Sequence, residues 1–139
     1  MSFVWVRRVK INSKKRLAEE QKVNLLKHQA MNALLSPHFI FNSLTSIQNY
    51  INTNNGLRAS EYLAKFSRLI RMIIEKAAQS HITLHDELAR LTYYLELEKE
   101  RFKNKFDYHI QIEESLNTHG IEIPNMIIQP YAENCIMHG

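Results

Sequence analysis

The sequence predicts a mainly α protein: an antiparallel helical hairpin that forms a dimeric four-helix bundle, followed by the start of an α+β domain. Three observations predict it. The 139 residues include only three glycines and three prolines, so helices can run long before a breaker stops them. Apolar residues recur at three- and four-residue spacing in two stretches flanking a short polar turn. Beyond residue 80 the pattern resets and, for one stretch, switches to a period of two.

The first helical stretch runs from about Arg16 to Ile51. Val23, Leu26, Ala30, Ala33 or Leu34, Phe41, Leu44 and Ile51 carry its spacing, and Pro37 breaks it once. Asn52 to Gly56 reads as a turn, with Gly56 suited to a left-handed backbone. A second helix runs from about Leu57 to Ala78, with Tyr62, Phe66, Leu69, Ile70, Ile73 and Ile74 as its apolar face. One hairpin would leave that stripe uncovered; two hairpins packed together cover it, which predicts a homodimer. Thr83 and Asp86 resemble a capping box with Asp in place of Glu, and Leu84, Leu88, Leu91 and Leu95 mark a third helix to about Phe102. Phe106, Tyr108, Ile110 and Ile112 alternate with polar residues and read as a half-buried strand. After a loop at 117–120, Ile123-Pro124 opens a last helical segment through His138, in which Pro130 kinks the helix or sits in its first turn.

The formal net charge is +4, and the excess is local. Arg7, Arg8, Lys10, Lys14, Lys15 and Arg16 all precede the first acid, Glu19. Phe3, Val4, Trp5 and Val6 stand before them, and an apolar stub leading into a basic cluster resembles the cytoplasmic exit of a membrane helix. The stub is too short to span, which takes about 20 residues. Residues 1–15 therefore read as a basic juxtamembrane arm with the membrane contact in an upstream segment, the alternative being that the stub is simply a frayed start. Direct nucleic-acid binding is not expected, because the basic excess is confined to this arm. The lone Cys135 cannot form an internal disulfide, which fits a reducing compartment.

The informative segment is Ser36-Pro37-His38-Phe39-Ile40-Phe41-Asn42-Ser43-Leu44. Pro37 removes a helical hydrogen bond to Ala33 beside a histidine, a broken local rule of the kind found at functional positions. Asn42 lies four residues after His38, so both share a helix face. Neutral imidazole is a good nucleophile near pH 7, and phosphoryl transfer needs mainly positioning and charge neutralisation. From chemistry alone, a half-packed helix histidine is the plainer reading of His38.

The run Pro37 to Leu44 is similar to the Pro-His-Phe-hydrophobic-Phe-Asn signature of LytS/YehU-like sensor histidine kinases. Tyr62-Leu63 and Phe66 to Arg71 resemble that family's second bundle helix. Glu87-Leu88, Tyr94 to Lys99 and Arg101-Phe102 resemble the start of its ATP-binding domain. Ile123-Pro124, Gln129-Pro130, Glu133-Asn134 and His138-Gly139 resemble its asparagine box. The resemblance runs from about residue 23 to the end. Leu34 and Ser36 stand where the family usually has Gln and Asn, and Cys135 and Met137 where the box continues with Ala and a basic residue.

The resemblance implies a dimerisation and histidine phosphotransfer bundle over residues 16–79. It implies the N-terminal part of a Bergerat-type α/β sandwich, a catalytic ATP-binding domain, over 80–139. His38 would be autophosphorylated from ATP, with Asn42 assisting. Asn134 would hold the Mg2+ of the nucleotide, with Glu133 beside it as a supporting or polarising group. The phosphoryl group would pass to an aspartate of a response regulator, of the LytTR type by analogy, on the cytoplasmic side of the bacterial inner membrane. A non-catalytic dimeric scaffold, or a histidine phosphotransfer remnant, is the alternative. None of Gly56, Gly120 and Gly139 forms a G-x-G pair, so this chain alone is expected to lack a complete ATP cradle.

Other constellations have plainer readings. His81 and His85 could ligate zinc, but with no third ligand nearby they read as surface residues. Tyr93, Tyr94, Phe102, Phe106 and Tyr108 read as core and rim. Glu96, Glu98, Lys99, Glu100 and Arg101 read as a solvated helix face.

Overall fold

The computed structural model describes residues 2–34 and 36–138, with the backbone alone at residue 2 and at 26–34. The expected apolar side chains of Leu26, Ala30, Ala33 and Leu34 lie outside the described residues, as does Gly139. Helix α1 spans Ser2–Leu34. No glycine or proline interrupts that stretch, so the basic arm is helical and continuous with residues 16–34. Its described side chains are exposed, Phe3 and Trp5 among them.

At Pro37 the chain starts a new helix, α2 (Pro37–Asn52). Ser36 is extended and caps it, its Oγ accepting from Phe39 N at 3.2 Å. Pro37, with no N–H to leave unpaired, sits in the first turn. The turn to α3 (Gly56–Lys76) places its left-handed residue at Asn54, φ 57°, not at Gly56, which is already helical. Asparagine tolerates that backbone because its short amide bonds locally. Asn55 then caps α3.

Helices α2 and α3 run antiparallel. Phe39 stacks near Phe66 with ring centres 6.1 Å apart, and one helical turn on the Tyr62 hydroxyl donates to Ser43 Oγ at 3.3 Å. Both Tyr62 and Ser43 are fully buried. Helix α4 (Leu84–Arg101) closes this core. Tyr94 packs on Phe39 at 5.2 Å, and Leu91, Leu95 and Leu97 join Tyr62, Phe66, Leu69 and Ile73 in one cluster. The apolar face expected to need a second copy is thus covered by α4 of the same chain. The cluster runs across the expected boundary at 79/80.

Thr83 caps α4 through Asp86 N at 3.1 Å; Asp86 and Glu87 lie in its first turn and Lys99 and Arg101 in its last, each sign favoured by the helix dipole. Strand β1 (His81–Thr83) pairs antiparallel with β2 (Glu122–Pro124), Ile82 opposite Ile123. Ile123-Pro124 is therefore strand; the final helix α5 starts only at Gln129 (Gln129–His138), with Pro130 in its first turn. Residues 106–112 form no strand. Their burial alternates up to Ile110 as expected, but no ladder partner meets them among the described residues. The sheet there is β1–β2 alone, so no sandwich is formed among the described residues.

A polar joint ties α3, α4 and the β2–α5 link together. The Asn125 amide donates to Lys76 O and Gln79 O, both at 2.9 Å, and accepts from Arg90 Nη2 at 3.1 Å. Arg90 is paired with Glu87, whose other oxygen accepts from Ile128 N at 3.3 Å. Both charged side chains are almost wholly buried. Burial pulls the Arg90 guanidinium below its ordinary range, and Glu87 opposes that.

Candidate functional site

His38 is the second residue of α2 and its side chain is exposed. Its neighbour Phe39 is 4% exposed and anchors this end of the helix in the core. The cap at Ser36, Pro37 in the first turn and the buried Phe39 together fix where the imidazole stands. Asn42, one turn on, is half-buried.

His38 and Asn42 open into a cavity of about 430 Å³ that Glu133, Asn134 and His138 of α5 also line. The four residues singled out from sequence thus meet in one concavity, although Glu133 and Asn134 stand more than ninety positions after His38. Asn134 is exposed. Glu133 is half-buried; burial raises its carboxyl pKa, a hydrogen bond from Gln129 opposes this, and the charge of Glu98 adds to it. An amide oxygen and a carboxylate are hard donors of the kind Mg2+ accepts while keeping its waters and phosphate oxygens. Asn134 and Glu133 therefore fit that ion. Among the described residues no group of three or more His, Cys, Asp or Glu side chains forms a metal cage, and His81 and His85 build none.

The floor of the cavity holds two residues misread from sequence, Glu98 and Arg101. Glu98 is 2% exposed, so the run 96–101 is not a solvated face. Arg101 grips it with a two-pronged fork, Nε to Oε1 at 2.9 Å and Nη2 to Oε2 at 2.7 Å. The guanidinium carbon also lies 4.1 Å from the centre of the Phe102 ring. The bonds to Glu98 hold the Arg101 pKa above its ordinary value. The signal was present: Glu98 continues the register of Leu91 and Leu95, and an arginine three residues on is placed to pair with it.

A larger cleft of about 570 Å³ opens between Arg58, Lys65, Lys99, Glu100 and Asp107. Its three cations are paired within it: Lys99 meets Asp107 at 2.8 Å, and Arg58 and Lys65 approach Glu100 at 3.8 and 3.9 Å. Tyr50 also donates to Glu100 at 2.9 Å. No histidine lines it. Size alone does not make it the site.

A hairpin that presents a capped, anchored histidine beside an asparagine-bearing helix defines a class, and sequence comparison agrees with it. The histidine kinase family matches residues 26–106, and the chain belongs to that family. Relatives include the sensor histidine kinase/phosphatase LytS of Staphylococcus aureus strains MRSA252, Mu50 and N315. Each is 33% identical over 110 residues, covering 79% of this chain and 18% of the relative. The chain thus spans under a fifth of the length of these relatives. No solved structure matches it.

Proposed function

We propose that this chain is the phosphoacceptor core of a sensor histidine kinase, with His38 as the residue that carries the phosphoryl group. The observation that carries the reading is the shared cavity of His38, Asn42, Glu133 and Asn134. An imidazole nitrogen of His38 attacks the γ-phosphorus of ATP. The nitrogen–phosphorus bond forms as the bond to the β,γ-bridging oxygen breaks, and ADP leaves with that electron pair. The exposed position of His38 lets the nucleotide in, and later an aspartate of a response regulator, to which the group passes. Asn42 shares the face of His38 and orients the ring or the incoming oxygens. Asn134, with Glu133, would hold the Mg2+ of bound ATP, which would supply neutralisation of phosphate charge. A LytTR-type regulator is the partner by analogy with the resemblance.

The active unit is a homodimer. Phe41, Leu44 and Ile51 of α2 are 68%, 49% and 59% exposed and fall on one helix face, while Leu63 of α3 is also exposed. The second copy covers this face, not the one that α4 fills. Double substitution Phe41→Asp and Leu44→Asp should give a folded monomer by light scattering; a dimer of unchanged mass would rule out this interface. No described helix is long and apolar enough to cross a membrane. Residues 1–15 carry the apolar and basic signature of a chain leaving a bilayer, so attachment runs through an upstream segment, with the site on the cytoplasmic side of the inner membrane.

The test is labelling from radioactive ATP in the complete kinase. His38→Gln should abolish the acid-labile label while the protein stays folded. Label that survives the substitution would show that another residue is the acceptor, and a folded wild-type dimer that takes no label would favour a non-catalytic scaffold.

A further inference from the structure

We propose that Arg101 is the phosphoryl-binding residue of this site, held in place by Glu98, so that its guanidinium meets the group passing to His38. The inference rests on the reading of His38 as acceptor and names a residue that reading does not require.

The cavity that holds His38 also holds two carboxyl groups, Glu98 and Glu133. A γ-phosphoryl group entering it carries negative charge on its terminal oxygens and would be repelled by Glu133, while the Glu98 charge is held by Arg101. Among the described residues that line the cavity, Arg101 is the one lysine or arginine. It is therefore the fixed positive charge available at the floor.

Geometry adds to charge. Arginine has five donors, and Glu98 takes Nε and one N–H of Nη2. The Nη1 amino group is left, and no hydrogen bond engages it among the described residues. Glu98 is 2% exposed while the Arg101 side chain is 18% exposed, so the carboxylate is the more deeply buried partner and the arginine that holds it lines the cavity. Phe102 backs the planar group. A guanidinium fixed along one edge by a buried carboxylate and against a ring has few rotamers left to lose when an oxyanion binds. Preorganised donors aimed at developing charge are the arrangement that stabilises phosphoryl-transfer states.

A purely structural pair would look different, and the same helix supplies one. Glu87 and Arg90 are both almost wholly buried, the arginine's partners are protein groups, Glu87 and Asn125, and its unpartnered Nε is buried and out of reach of a ligand.

The experiment uses the complete kinase and labelled ATP. Arg101→Gln alone would strand Glu98 as a buried, unpaired carboxylate and could unfold the protein. The informative variant is therefore Glu98→Gln with Arg101→Gln, which keeps a polar pair without charge. It should melt near wild type, keep its KM for ATP within about threefold, and lose kcat for His38 labelling by about 100-fold, the scale of losing one oxyanion donor. Free guanidinium at millimolar concentration should restore part of the lost rate. A folded double variant that labels His38 at the wild-type rate would overturn the proposal and leave Arg101 structural. Loss of label equal in both kcat and binding, with no rescue, would also overturn it. No label in wild type, or label that survives His38→Gln, would instead fault the assignment of His38 beneath it.

Discussion

Helix α4 carries the same ion pair twice, near its two ends. Glu87 with Arg90 and Glu98 with Arg101 are each three residues apart. Eleven residues separate the pairs, about three helical turns, so both lie on one face. The chemistry is the same and the surroundings are not. The first pair is almost wholly buried and knitted to Asn125 and Ile128, although the Arg90 Nε finds no partner among the described residues. The second has its carboxylate buried and its arginine partly exposed in the lining of the cavity that holds His38. The difference teaches that an i, i+3 Glu–Arg pair says nothing of its role until burial is known on each side separately. A sealed charge needs its partner to exist at all; a half-open one can also offer its remaining donors to a ligand entering the cavity.

Breaking the sealed pair should have the largest effect on stability. Arg90→Ala leaves Glu87 buried without its counter-charge, and such losses cost about 3–5 kcal/mol. Chemical denaturation should find that drop, whereas Arg90→Met with Glu87→Leu, which removes both charges and fills the volume, should recover most of it. If Arg90→Ala melts like wild type, the joint is not what holds α3, α4 and the β2–α5 link together.

Asn125→Ala comes next. It removes three hydrogen bonds and leaves Arg90 and two carbonyls to find other partners. A loss of about 1–3 kcal/mol is expected, with faster amide exchange around residues 76–80 and 125–128. Unchanged exchange there would show that Asn125 follows the joint without making it.

The smallest effect lies at the open end and depends on pH. Burial raises the Glu133 pKa, so the folded chain binds that proton more tightly than the unfolded chain does. The contribution to stability is full below the ordinary carboxylate value of 4.5 and is lost as pH rises through the raised folded value. The melting temperature of wild type should therefore decline across that window relative to Glu133→Gln. Parallel profiles for the two proteins would contradict the burial of this carboxyl group.

Much of the fold was legible from residue order, in an uneven way. Long helices announce themselves by repetition, so Tyr62, Phe66, Leu69 and Ile73 were readable as one face and Thr83 as a helix start, whereas Pro37 read as a kink inside one long helix and instead begins a new one. What covers a face is not local information. Sequence offered a second copy, and the fold supplied α4. Strands of three residues are too short to show a period, so β1 and β2 were invisible, while 106–110 alternates in burial without a ladder to join. Of the site, His38, Asn42 and Asn134 were found through motif resemblance. Glu98 and Arg101 were lost because charged runs are usually solvated, a rule that fails where the apolar register passes through a charge. Gly56 misled for the opposite reason: its freedom was available, but Asn54 took the left-handed position.

The central claim is that His38 is where phosphate lands, and locating the modified residue tests it most directly. The complete kinase would be incubated with Mg-ATP, kept at alkaline pH to preserve phosphoramidate bonds, and fragmented gently for mass spectrometry. The account predicts a phosphoryl group on the imidazole of His38 and on no other side chain of residues 1–139. A phosphoryl group on another residue, with His38 unmodified in the same sample, would contradict it.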